Sequence, residues 1–348
     1  MVDSLLMIKA EEIHKKIEEG KPVEYENVII YGDLDLHRLD LPLNKNKRKI
    51  INSIIKIEYS VIKGDVFFDH AAFSGLVDFD GTVFNQAANF SDSQFQEDAG
   101  FSESQFQGEA NFSRAHFATE ANFSRARFND ADFGRAAFHR NLNLTNAKVY
   151  TLRLSDAAFA EGSNINLKDF NFNRIVVRWN TIRDHLPFNG SVYLTLTRNF
   201  RNLERFEDED DCYFQYRKEK QARKTKLFPK LIDRMAWLSC GYGVRVSYTV
   251  FWCLFTILIF GVMFWAGKGM NKFEIEGMEL PGDTRLKPST RVSFTDALYF
   301  SIAMFTTSQA PVNTYPVGVY KHLAMAEGIL GWFFLGLFVV VLSAVLIR

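Results

Sequence analysis

The phenylalanines of this chain restrict what it can fold into more than any other feature. They stand at 68, 73, 79, 84, 90, 95, 101, 106, 112, 117, 123, 128, 133 and 138, so the interval alternates between five and six residues before settling at five. Weaker rungs continue the series at Leu144, Val149, Leu154, Phe159, Ile165 and Phe170. A helix repeats its apolar positions every three or four residues and a half-buried strand every two, so one large apolar side chain per five or six fits neither. It fits a solenoid, whose coils stack like rungs along a common core. Small residues precede many rungs by two, as in Ala110-Asn111-Phe112 and Ala121-Asn122-Phe123.

Over roughly residues 30–175 this register resembles the pentapeptide-repeat family. The resemblance implies a right-handed quadrilateral β-helix with four short faces per coil. Twenty rungs then make about five coils, with earlier partial faces at Ile30, Leu36, Leu41, Ile57 and Ile62 and a basic excursion over residues 42–50. Ahead of it, residues 4–20 predict an amphipathic helix with Ile8, Ile13 and Ile17 on one stripe and Gly20 as its stop. That helix would cap the solenoid as a segment over 1–29, with His14 solvated. Nine acidic residues and no lysine or arginine lie between Asp65 and Glu109, whereas Arg114, Arg125, Arg127, Arg135, Arg140, Lys148 and Arg153 follow. Some members of the family mimic nucleic acid with an acidic surface. The basic second half opposes that role here, and a solvated, dipolar scaffold with no nucleic-acid partner is expected.

The C-terminal third has a different organisation. Phe294–Thr307 is a short amphipathic segment opened by Ser293 with Asp296 three residues on, a capping-box-like pair. A polar, proline-bearing turn follows, and then a 20-residue stretch without a charge, Gly328–Ile347. Twenty such residues can cross a bilayer core of about 30 Å as a helix; fourteen cannot. A half-depth helix followed by a returning loop is a re-entrant segment, tolerated at membrane depth only where protein buries it or water lines it.

Phe294–Ser301 (FTDALYFS), the paired Thr306 and Thr307, and Ala326–Phe334 (AEGILGWFF) resemble the two-helix pore module of the potassium-channel superfamily. That resemblance implies an oligomeric pore, four chains as in the family, whose selectivity filter is built from Thr306, Thr307, Ser308, Gln309, Ala310, Pro311, Val312 and Asn313. Here the chain departs from the family, which follows Thr-Thr with Val-Gly-Tyr-Gly-Asp. Glycines let that filter aim successive carbonyls inward, whereas this loop has none before Gly318 and Pro311 fixes its own φ. A wider, shorter constriction that discriminates poorly between sodium and potassium is therefore expected. The loop carries no acidic side chain between Thr306 and Lys321, so a calcium-selective carboxylate ring is not expected. Gly328, Gly331 and Gly336 on the inner helix are candidate gating hinges, with close helix packing as the other use of glycine there. Asp296 and Glu327 are candidate supports of the pore helix; for Glu327 a proton-sensitive gate is the second role.

Residues 176–243 read as a connector. Tyr193, Leu196, Phe200 and Leu203 share a helical stripe, and the acidic run Glu207–Asp211 reads as a solvated turn, since it lacks the ligand spacing and central glycine of a calcium loop. Basic residues from Arg217 to Arg234 then precede the first candidate span, Val246–Ala266. Their place suits anionic lipid headgroups, and Leu227–Leu238 suits an interfacial helix. The positive-inside bias places the N-terminal region in the cytoplasm and makes the chain a two-span cell-membrane protein. Residues 1–20 lack the apolar core of a secretory signal. Cys212, Cys240 and Cys253 are too scattered for a disulfide framework or a zinc site.

No nucleophile motif, phosphate loop, metal-ligand pair or dinucleotide fingerprint is present, so no enzyme, cofactor or metal site is expected. The expected domains are 1–29, 30–175, 176–243 and a pore domain over 244–348. The expected function is an oligomeric channel for monovalent cations, gated or assembled through the solenoid. The alternative is a non-conducting, membrane-anchored scaffold that displays the solenoid to a partner.

Overall fold

The structure, a computed structural model, describes residues 6–275, 286–289, 292–311 and 314–346. It divides into two compact units, Met1–Tyr216 and Arg217–Arg348.

The first unit is a β-solenoid of about 8 turns, built from parallel sheets, and so deeper than the five coils expected. Its coil length follows from the phenylalanine spacing. Val61 pairs with Val83, Val83 with Gln105 and Gln105 with Arg127, each an advance of 22 residues, or two short and two long rung intervals. Once the interval settles at five, Arg127 pairs with Lys148 after 21. The lost residue straightens a corner: Arg127–Asp132, Lys148–Arg153 and Asn171–Val176 each run as one strand across two faces. Like stacks on like inside. Phe90, Phe112 and Phe133 form a column with centroids 5.0 Å apart, and Phe95, Phe117 and Phe138 another at 4.9 and 5.1 Å. These rings are buried, and each contributes about 1.5–3 kcal/mol through loss of hydrated apolar surface.

The extra coils lie at the N-terminal end. Leu6–Lys9, expected as helix, is instead a strand paired in parallel with Val28–Tyr31, whose edge would otherwise leave backbone groups without partners. Helix α1 (Ala10–Glu18) begins only after it and buries Ala10, Ile13 and Ile17. His14 is not solvated: it accepts a hydrogen bond from the Asp35 N–H at 3.0 Å, and burial holds its pKa below the ordinary value.

The other end is closed by helices α2 (Trp179–Ile182) and α3 (Gly190–Asn202), which bury Trp179, Tyr193, Leu196 and Phe200. Asn199 acts as a substitute strand, receiving the Ile175 N–H and donating to the Ile175 carbonyl, both at 2.9 Å. The acidic run is helical rather than a turn, because it opens α4 (Phe206–Ala222), where carboxylates suit the positive end of the dipole. Asp208 accepts the Trp179 N–H at 3.0 Å, and Glu209 accepts from Arg201 Nε at 2.8 Å, so both side chains hold the cap rather than wait for an ion. On the outer surface the acidic and basic stretches interlock one coil apart. Arg114 reaches Asp92, and Arg125 reaches Glu103.

The second unit is helical. Helix α5 (Leu227–Cys240) ends at Gly241 in the left-handed conformation; α6 (Val246–Ala266), α7 (Phe294–Thr307) and α8 (Tyr320–Leu346) follow. Helices α6 and α8 are long and apolar enough to cross a membrane. Strands Met270–Ile275, Leu286–Ser289 and Thr314–Pro316 form a small antiparallel sheet among the connections.

Candidate functional site

The site is built where α7 hands over to its loop. Helix α7 starts with a complete capping box: Ser293 Oγ accepts the Asp296 N–H, and Asp296 accepts the Ser293 N–H, each at 3.1 Å. Lys272, from strand Met270–Ile275, adds a 2.7 Å ion pair to Asp296. This partner, followed by the Ser293 bonds, holds the Asp296 carboxyl below the usual carboxylate range. Further along, Phe300 meets Phe264 of α6 edge to face at 4.9 Å, in a buried cluster with Ala297, Met304 and Ala324.

Helix α8 comes against the C-terminal end of α7 where its residues are smallest. A Cβ on Gly331 would stand 1.9 Å from the Phe305 carbonyl oxygen, and one on Gly328 would stand 2.8 Å from Ser308 Oγ. Both glycines therefore serve as packing surfaces in this arrangement. At Gly336 none of the described residues lies within 4 Å of the corresponding point. Glu327 is fully buried and contacts Ser301 through one carboxyl oxygen, while Ser301 Oγ also donates to the Ile257 carbonyl at 2.8 Å. Among the described residues the other carboxyl oxygen of Glu327 has no hydrogen-bond partner. Ser301 thus ties α6, α7 and α8 together at one point.

The loop itself starts with a reversal. Ser308 adopts φ 54°, its N–H bonds the Met304 carbonyl at 3.0 Å, and its hydroxyl accepts from Trp332 Nε1 at 2.9 Å. The side chain of Ser308 is thereby turned to α8, whereas Thr306, Thr307, Gln309, Ala310 and Pro311 line a concavity of about 660 Å³ with Lys272, Asp296, Tyr299 and Thr314. The Thr306 and Thr307 hydroxyls donate back to the Ile302 and Ala303 carbonyls, each at 2.7 Å, and Thr307 Oγ1 also accepts the Gln309 N–H at 3.3 Å. The loop returns through the Thr314 N–H to the Pro311 carbonyl at 3.0 Å and joins the sheet opposite Met270–Lys272. Val312 and Asn313 lie outside the described residues.

Of the sequence-named residues, Thr306, Thr307, Gln309, Ala310 and Pro311 therefore meet on one surface, Asp296 borders it, and Ser308, Gly328, Gly331 and Glu327 stand behind it. Lys272 and Trp332 were missed. Trp332 stands in the apolar run of α8, and its partner Ser308 lies 24 residues away in the chain. Lys272 gave no local signal, since it reaches Asp296 across 24 residues. Among the described residues no group of three or more His, Cys, Asp or Glu side chains is placed to hold a metal ion.

No curated protein and no solved structure matches the chain. A family profile described as pentapeptide repeats (9 copies) matches residues 57–105 and 101–148, a span that includes the stacked phenylalanines from Phe68 to Phe138. The solenoid of the N-terminal unit is thus a pentapeptide-repeat domain, carried by a chain with two helices fit to cross a membrane.

Proposed function

We propose that residues 244–348 assemble as a homotetramer into a membrane pore for monovalent cations, with the pentapeptide-repeat domain on the cytoplasmic side gating or organising it. The chain then works as a transport protein and not as an enzyme. The observation that carries this reading is the loop after α7. Three oxygen-bearing side chains, Thr306, Thr307 and Gln309, face one concavity, and Ser308 is braced from behind by Trp332. The negative end of the α7 dipole lies at the same place and favours cations over anions. With Pro311 in the loop and no glycine, the constriction is wide, and ions pass with part of their water.

Full-length protein in planar bilayers tests this. Under bi-ionic sodium and potassium the reversal potential should lie close to zero, and under a salt gradient it should follow the cation. Strong potassium selectivity or reversal at the chloride potential would overturn the pore chemistry. Absence of current from protein that floats with vesicles would leave the anchored scaffold as the function.

A further inference from the structure

An apolar groove of about 560 Å³ lies between α5, α6 and α8, within the range of about 300–1,000 Å³ that small-ligand sites occupy. Its walls include Ile232, Met235 and Ala236 of α5, Trp252 of α6, and Phe333 and Leu337 of α8. The walls are fixed. Trp252 Nε1 donates to the Leu238 carbonyl at 2.7 Å and Thr249 Oγ1 to the Ser239 carbonyl at 3.1 Å, binding the end of α5 to α6. Asp233, on another side of α5, is held by Arg217 and Lys224. The groove is nevertheless open: Met235 is 61% exposed, Ile232 53% and Phe333 57%.

We propose that this groove holds an acyl chain of an anionic phospholipid. The occupant follows from the rest of α5. Lys230 and Arg234, one turn apart, form a basic stripe on the side of the helix away from Ile232, Met235 and Ala236, and Lys226 adds a charge at its N-cap. A helix lying in the plane of a bilayer places such a stripe among headgroups, and its opposite face then opens into hydrocarbon. Long basic side chains can bend around the helix to a phosphate while their stems stay apolar. An extended peptide segment from a second copy suits the groove less well, because its backbone N–H and C=O groups would meet walls that offer almost no polar atoms. The inference rests on α6 and α8 lying in a membrane and not on ion conduction.

Native mass spectrometry of the full chain, purified in detergent and titrated with dioleoylphosphatidylglycerol or dioleoylphosphatidylcholine, tests it. The native chain should retain phosphatidylglycerol in preference to phosphatidylcholine. Ala236→Trp, which fills the groove, should lower occupancy by about tenfold or more, roughly 1.4 kcal/mol. Ser239→Phe provides a second filling variant should the first fail to fold, with thermal melting as the check on both. Replacing Lys226, Lys230 and Arg234 together by glutamine should equalise the two lipids without removing either. Unchanged lipid occupancy in a folded groove-filling variant would sink the proposal, as would cross-linking of two copies through Ile232 without bound lipid. Either result leaves the bilayer currents to decide the pore reading separately, and protein that neither floats with vesicles nor binds lipid would remove both.

Discussion

The two units fail in opposite directions. The solenoid is full: its interior consists of ring columns that touch above, below and to the side, so the way to damage it is to take atoms out. The helical unit is held together at glycines, and the way to damage it is to put atoms in. The difference arises from what each unit stacks. Parallel coils keep a fixed separation set by backbone hydrogen bonding, and only large side chains fill the channel they enclose. Helices choose their separation from the side chains at the crossing: at Gly331 the backbone of α8 meets that of α7 directly, and at Gly328 it meets the Ser308 side chain.

The largest effect is expected in the middle of the columns. Phe112 stacks on Phe90 and Phe133 at 5.0 Å and meets Phe101 and Phe123 edge to face at 5.3 and 5.1 Å. Phe112→Ala should cost about 3–5 kcal/mol, read as a lower midpoint in chemical denaturation of the full chain. Phe112→Leu should recover much of that, since most of the volume returns. Equal loss for both would show that ring stacking, rather than filling, holds the coils.

Smaller, and opposite in kind, is the cost of one methyl on α8. Gly331→Ala brings a Cβ against the Phe305 carbonyl, so α7 and α8 must separate; about 1–3 kcal/mol is expected, with loss of assembly in size-exclusion profiles. Gly336→Ala meets none of the described residues of its own chain and should leave the contact between α7 and α8, and with it the stability, unchanged. Normal assembly of Gly331→Ala would mean that the two helices do not meet as closely as their glycines allow.

The contrast also explains what could be read from the residues alone. In the solenoid the period contains the register, so the 22-residue advance is already present in the five-and-six alternation. The signal fades where Ile and Val replace Phe and where residues 42–50 interrupt the count with a bridge from Leu43 to Lys49, and there coils went unseen. Helices α6 and α7 cover the residues their hydropathy and capping indicated, whereas α8 starts at Tyr320, ahead of the apolar run, because Lys321 and His322 do not stop a helix. The use of each glycine was not legible. What a glycine touches is decided by a residue elsewhere in the chain, as Phe305 decides it for Gly331. For the same reason Ser308 was grouped with its neighbours in the loop until its bond to Trp332 turned it away from them.

The smallest expected effect concerns charge on the solenoid surface, where neither filling nor clash applies. Asp80 is half-buried, with Asp78 beside it and Glu58 near; burial first, and then the Asp78 carboxylate, push its pKa up to about 6 from an ordinary 3.8. Between those two values the folded state binds a proton that the unfolded chain does not, so this group stabilises the fold at low pH, and the benefit is lost as pH rises through about 6. Carboxylates held low by cations, such as Asp92 beside Arg114, act in the other direction and contribute above their unfolded pKa. The comparison must therefore be between the native chain and Asp80→Asn. Asparagine keeps the acceptor for the Ser102 N–H, which Asp80 now receives at 2.7 Å, and removes the titration. The native chain should lose melting temperature relative to Asp80→Asn as pH rises from 4 to 7, by a modest amount because solvent screens a half-exposed carboxylate. Parallel curves for the two proteins across that range would show that Asp78 and Asp80 are solvated as ordinary surface acids.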